Sequence, residues 1–304
     1  MWAIGLCALC VATPSDQLVG AETPIVRDQM ESGLSTPPDP SEGVVYICPM
    51  DPDVRSHDAG VCRRCGMTLL AGIPDPVEFH LDLKVMPTSP EPGRQAVLQF
   101  LVHDPWKDRP VSRFNVVHEK FFHTFVVSED LQFFEHGHPR LVADGVFQYP
   151  ITFPKAGMFR VLGDYYPAGA TPQLTSDTVF VPGTGPASPV QLGRDYSAKT
   201  AENMAVSFMT IPERPVATAR TQLRFVVDAD RGLERYLGAW GHMLAVSNDL
   251  IDMMHEHPLL ADGGRQVEFE IVFPRPGAYR LWVQFQSDGV VNTVHFDVPV
   301  VSLE

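Results

Sequence analysis

From Val77 onward, short runs in which apolar and polar residues alternate follow one another: "VEFHLDLKVM" (77–86), "QAVLQFLVH" (95–103), "FFHTFVVS" (121–128), "VFQYPITF" (146–153), "GMFRVLGDYY" (157–166) and "DTVFV" (177–181). Each is strand-length, rich in Val, Phe and Tyr, and bounded by Pro, Gly or Asp, which is the grammar of β-strands. The same grammar returns in "TQLRFVVDAD" (221–230), "HMLAVSND" (242–249), "RQVEFEIVF" (265–273), "GAYRLWVQF" (277–285) and "VVNTVHFDVPVV" (290–301). The two series match in places: "LQFLV" at 98–102 answers "LRFVV" at 223–227, and "FPKAGMFRV" at 153–161 answers "FPRPGAYRL" at 273–281. The pattern predicts a mainly β protein with two tandem Ig-like β-sandwich domains, repeat 1 over 77–183 and repeat 2 over 216–304, with 184–215 as a connector. An eight-stranded cupin-like roll is the competing fold.

Ahead of the strands the texture differs. Residues 1–21 hold an apolar run, Trp2 to Ala12, of the length of a secretory h-region, with small residues at Val19-Gly20-Ala21 before Glu22; this predicts a signal peptide and a periplasmic or secreted protein. Residues 22–43 are polar and proline-rich and read as a linker. Residues 44–74 form a compact cysteine-bearing module. No stretch approaches the length of a membrane-spanning helix, so no integral membrane segment is expected. The 28 prolines and 23 glycines among 304 residues suit many turns and short strands. A net charge of −14 disfavours nucleic acid and anionic lipid as partners and favours cations.

The candidate chemistry is metal binding. The chain writes one histidine pattern twice: His123, His136 and His138 in "FFHTFVVSEDLQFFEHGHP", then His242, His255 and His257 in "WGHMLAVSNDLIDMMHEHP", each equivalent pair 119 positions apart. On an extended segment, residues two apart leave the same face, so each His-x-His can aim two imidazoles at one ion. Pairing of neighbouring strands can bring His123 or His242 to complete a three-nitrogen site, which suits copper, zinc, nickel or iron. His118 and Asp164 accompany the first copy; Leu237 stands in place of His118 in the second. His80, His103 and His295 are expected to be structural, and Met243, Met253 and Met254 core-filling.

In the module, Cys62-Arg-Arg-Cys65-Gly66 is a knuckle that sets two thiolates on one ion, and Cys48 can supply a third. "YICPMDP" and "GVCRRCGMTLL" resemble the short heavy-metal-binding domain at the N-termini of some copper-transporting P-type ATPases and metal-efflux adaptor proteins. That family reads Cys-Pro-Met-His-Pro, then Cys-Pro-x-Cys-Gly-Met; Asp51 and Arg63 depart from it. Met50, Met67, His57 or Asp51 are left to complete the shell, and thioethers would favour Cu(I). A zinc knuckle that merely folds the segment is the alternative. The pattern of His-Glu-Lys, Val-Ser-x-Asp-Leu and a terminal His-x-His-Pro also resembles exported bacterial proteins that carry the same module.

The function expected from these features is an exported heavy-metal-binding protein for copper buffering, resistance or delivery, with copper ahead of zinc and a metal transporter or efflux system as partner. It is not expected to be an enzyme: a cupin-like or copper-dependent oxidoreductase is the first alternative, though no Glu follows either His-x-His within a few residues as is typical of cupins, and no phosphate loop, nucleophile elbow or HExxH helix occurs. A metal-stabilised β-sandwich interaction protein is the second.

Overall fold

The computed structural model describes residues 45–48, 54–56, 58–64, 66–72, 78–105, 109–168, 170–185, 191–259 and 261–303. The expected signal peptide and linker, and the candidate residues Met50, Asp51, His57 and Cys65, lie outside them. All regular elements among the described residues are strands, and no helix there is long and apolar enough to cross a membrane.

The cysteine module is a three-stranded antiparallel sheet, with β1 (Val45–Ile47) between β2 (Arg55–Ser56) and β3 (Leu70–Gly72). Among the described residues its core is Cys48, Val54, Cys62 and Leu69, with Tyr46 packed alongside.

Repeat 1 is a sandwich. One sheet runs β4 (His80–Met86), β5 (Gln95–Asp104), β10, β9, with β6 (Arg109–Pro110) also on β5; the other runs β12, β11, β7, β8. The remaining ranges are β7 (Phe122–Ser128), β8 (Phe134–Gly137), β9 (Arg140–Ala143), β10 (Val146–Thr152), β11 (Gly157–Tyr165) and β12 (Gln173–Val181). Repeat 2 copies it: β13 (Lys199–Thr200), β14 (Met204–Ile211), β15 (Arg220–Ala229) and β18 (Gln266–Val272) make one sheet. Its partner sheet is β17 (Met253–Glu256), β16 (His242–Ser247), β19 (Gly277–Ser287) and β20 (Val290–Val300). Both are tandem Ig-like β-sandwiches, as expected. The segment read as a connector differs: "MAVSFMTI" in β14 buries alternate residues and pairs with β15 along its whole length, so residues 199–211 belong to the second sandwich.

Two strands depart from alternation. Every residue of β7 and of β16 is buried, which requires apolar cover on both faces. Phe122 and Val126 of β7 enter the core of repeat 1, and Met243 and Ala245 of β16 enter that of repeat 2. The opposite faces, with Phe125 and Val127 from one strand and Leu244 and Val246 from the other, meet in a third core that also holds Leu131, Leu162, Leu250 and Trp282. Trp282 stacks on Phe134 across it, ring centroids 5.2 Å apart, and Arg280, paired with Asp297, donates to the Leu131 carbonyl at 2.7 Å. The two histidine-bearing sheets are therefore packed face to face.

The repeated Val-Ser-x-Asp-Leu is the turn that sets the hairpin register. Ser128 Oγ donates to Asp130 and accepts the Phe133 N–H; Ser247 Oγ donates to Asp249 and accepts the Asp252 N–H. Leu131 and Leu250 take left-handed backbone, φ 53° and 59°, and bury their side chains between the repeats.

Truncating Trp282 to Ala is expected to cost about 3–5 kcal/mol, the usual loss for a large buried aromatic. Truncating Leu141, which is 40% exposed, should cost well under about 1 kcal/mol. Urea denaturation of both variants checks this; equal midpoints would mean that the repeats do not share a core.

Candidate metal centre

The two duplicated histidine triads lie at one end of this shared core. Side chains at 123, 125 and 127 leave the same face of β7, so the strand that places Phe125 and Val127 in the shared core also places His123 there; His242 follows from Leu244 and Val246 in the same way. The hairpin pairing sets Phe125 opposite His136 and Leu244 opposite His255. Two positions further along, beyond Thr124–Gly137 and Met243–Glu256, His138 and His257 come beside His123 and His242. Gly137 lies between His136 and His138, and a Cβ there would sit 2.2 Å from the Tyr149 ring, so a larger residue would displace Tyr149. In each triad one ring nitrogen from every histidine lies within 4.8 Å of the others.

Hydrogen bonding assigns the protons. His123 Nε2 faces the Val117 carbonyl at 3.0 Å and His242 Nε2 the Tyr236 carbonyl at 2.9 Å. A carbonyl only accepts, so both rings carry their proton on Nε2 and a lone pair on Nδ1 when neutral. The carbonyls come from matching two-residue turns, His118-Glu119 and Leu237-Gly238, all four residues at positive φ. His136 donates from Nδ1 to Gln284 Oε1 at 2.7 Å, while the Gln284 amide nitrogen donates to Thr293. The lone pair of His136 is therefore on Nε2, and Nε2 lies 3.2 Å from His123 Nδ1. Two lone pairs face each other in a buried site, an arrangement that repels unless a cation lies between them.

The spacing fits one. Nitrogens about 2.0–2.1 Å from a common ion lie about 2.9–3.4 Å apart for ligand angles of about 90–110°. In the second triad His257 Nε2 is 3.0 Å from His242 Nδ1, and His255 donates from Nδ1 to Asp164 at 2.6 Å. His138 Nε2 and His255 Nε2 are buried without a hydrogen-bond partner, a costly state that metal ligation would relieve. Burial holds five of the six rings neutral: it pulls His138 and His242 down to about 3 and lowers His123, His136 and His257 well below the ordinary histidine value. Neutral imidazole is the form that ligates.

The triads are close neighbours. Ring centroids of His136 and His242 are 5.5 Å apart, and those of His123 and His255 5.8 Å. His118 and Asp164, expected beside the first triad, lie there and also reach the second: His118 is 6.4 Å from the His123 ring but stacks on His257 at 3.7 Å, and Asp164, opposite His123 on β11, faces the outer nitrogen of His255. Gln284 escaped the sequence reading, although its alignment with Asp164, 120 positions earlier, was a signal for it. His80 and His103 share Asp82 on the outer strands at 2.9 Å each, away from the centre. A cavity of about 400 Å³ touches His136, Gln284 and His295 but no other triad ring. Met243 is buried in the core of repeat 2, while Met254 and Met253 border the repeat-2 and shared cores.

In the cysteine module, the Arg64 N–H points at Cys62 Sγ (3.4 Å), and Gly66, at φ 76°, donates to the Cys62 carbonyl at 2.8 Å. This is a tight turn whose amide stabilises sulfur charge. Cys48 and Cys62 are both buried, and Met67 is 42% exposed.

A family model described as a domain of unknown function (DUF8832) matches residues 77–179 and again 199–302, and one described as a heavy metal binding domain matches 45–71. No curated protein matches the sequence. Among solved structures the chain is similar to the Escherichia coli adhesin FdeC, at 12% identity over 80% of this chain and 74% of that one, TM-score 0.25. It is similar to a two-domain fibronectin type III segment of chicken tenascin, at 10% identity over 73% and 99%, TM-score 0.23. A Ca²⁺-stabilised adhesin with which an Antarctic bacterium binds ice gives 7% identity over 76% and 50%, TM-score 0.24.

Metal-free protein is expected to lose stability as pH falls from about 7 to about 5, because unfolded histidines take up protons near pH 6.5 that the folded rings refuse. Thermal melts in chelator across that range check this, with a His123→Gln/His242→Gln variant giving a flatter slope. A melting temperature that rises on acidification would show that the rings are not held neutral.

Proposed function

The chain belongs to the DUF8832 family, with a heavy metal binding domain ahead of two copies of that domain, and on that footing we propose an exported heavy-metal-binding protein that buffers, resists or delivers copper. The observation that carries this reading is the pair of lone pairs 3.2 Å apart on His123 and His136. Copper stands ahead of zinc because thiolate and thioether groups in the module suit Cu(I), while an all-imidazole centre suits a divalent ion. The module takes up the ion and the histidine centre holds or relays it, with Cys48, Cys62, Cys65, Met50 and Met67 as ligands of the first and the six triad histidines as ligands of the second.

The protein acts by binding and not by catalysis. His123 and His242 are almost wholly buried, which restricts the approach of a substrate to an ion bound there. Export rests on the apolar N-terminal run, and a transporter or efflux system is the partner that would receive the ion.

Titration of residues 22–304 with Cu(I), Cu(II) and Zn(II) tests this, beside His136→Ala/His138→Ala and Cys62→Ala/Cys65→Ala variants. Each variant is expected to lose a distinct equivalent that exchanges with a competing chelator. Binding unchanged in the histidine variant, with a single inert zinc on the cysteines, would contradict the reading.

A further inference from the structure

Duplication would leave two equal sites, and two differences between the repeats break that equality in one direction. Each triad has one histidine whose outer nitrogen is held by the opposite repeat: His136 by Gln284, and His255 by Asp164. Gln284 and Asp164 are equivalent positions on β19 and β11, each paired across its sheet with the strand histidine, His242 and His123 respectively. One is a neutral amide and the other a carboxylate. The turn beside the triads differs in the same sense, because His118 of repeat 1 stacks on His257 and lies 5.5 Å from His242, while its counterpart Leu237 has no imidazole to offer.

Resting on the metal-binding reading, we propose that the triads form a two-ion centre with unequal halves, in which the repeat-2 triad is the tight site for a divalent cation and the repeat-1 triad the weaker one. A carboxylate that accepts from the outer nitrogen of a ligating imidazole raises the basicity of the inner one and adds negative charge near the ion. An amide orients the ring without that charge. His118 covers the repeat-2 triad with a further ring and sits where a rotation brings a fourth imidazole. Ions in the two triads would be near neighbours, so the first one bound opposes the second, and the order of filling is set by Asp164. The half with the neutral amide is then the one that gives up its ion first or takes a monovalent ion.

The test uses the full chain in a Cys62→Ala/Cys65→Ala background, titrated with Zn(II) against a chelator of known affinity. His257→Ala is expected to remove the tight equivalent and His138→Ala only the weak one. Asp164→Asn should weaken the tight equivalent by about 10–100-fold, and the isosteric Gln284→Glu should tighten the weak one by a similar factor. The double exchange Asp164→Asn/Gln284→Glu should reverse which alanine variant loses the tight ion. If both alanine variants lose the same equivalent, or the exchange leaves the order unchanged, the unequal two-ion centre is overturned while metal binding stands. If the parent binds no zinc, the metal-binding reading itself falls.

Discussion

Everything in the centre depends on β7 and β16 being covered on both faces. A sheet that packed only on its own sandwich would leave His123, Phe125 and Val127 in water, where imidazoles titrate near neutrality and hydrogen-bond to solvent. Because the two sheets bury that face against each other, His123, His136, His138, His242 and His257 are held neutral, and each buried ring needs a partner for both nitrogens. The protein supplies outer partners: two backbone carbonyls, one amide and one carboxylate. It supplies none for His138 Nε2 and His255 Nε2, and it points His123 and His136 at each other lone pair to lone pair. A site finished on its outer side and unfinished on its inner side is the arrangement that a bound cation completes.

The cross-repeat bonds give this packing a second consequence. Gln284 and Asp164 each belong to the sheet opposite the ring they hold, so neither triad is oriented by its own repeat alone. Slippage of one repeat against the other would disturb both triads together. The shared apolar core, with Trp282 on Phe134 and Arg280 on the Leu131 carbonyl, supplies the rigidity that ligand geometry requires.

Much of this was legible in the sequence. The strand pattern, the duplication and all six triad histidines could be read from spacing, since period-two geometry dictates that His-x-His shares a face. The Val-Ser-x-Asp-Leu repeat was visible as a motif, but its work as a register-setting turn needed the hydroxyl and carboxylate contacts. The meeting of the repeats was less visible, although "FFHTFVV" and "GHMLAVS" carry too many apolar residues for a strand with one wet face. Residues 199–211 were passed over because "MAVSFMTI" sits between Pro-rich stretches. The placing of His118 and Asp164 depended on long-range packing, which local pattern does not encode, and Gln284 is a residue type that draws no notice until it faces an imidazole.

The most direct test of the central claim is anomalous diffraction from crystals of the mature chain grown with zinc or copper, with data on both sides of the metal's absorption edge. The account predicts density between the repeats, bonded to His123 Nδ1 and His136 Nε2 in one triad and to His242 Nδ1 in the other, with the Val117 and Tyr236 carbonyls and the Gln284 and Asp164 side chains still on the outer nitrogens. Metal confined to the cysteine module, with His123 and His136 joined by a proton or a water, would contradict it.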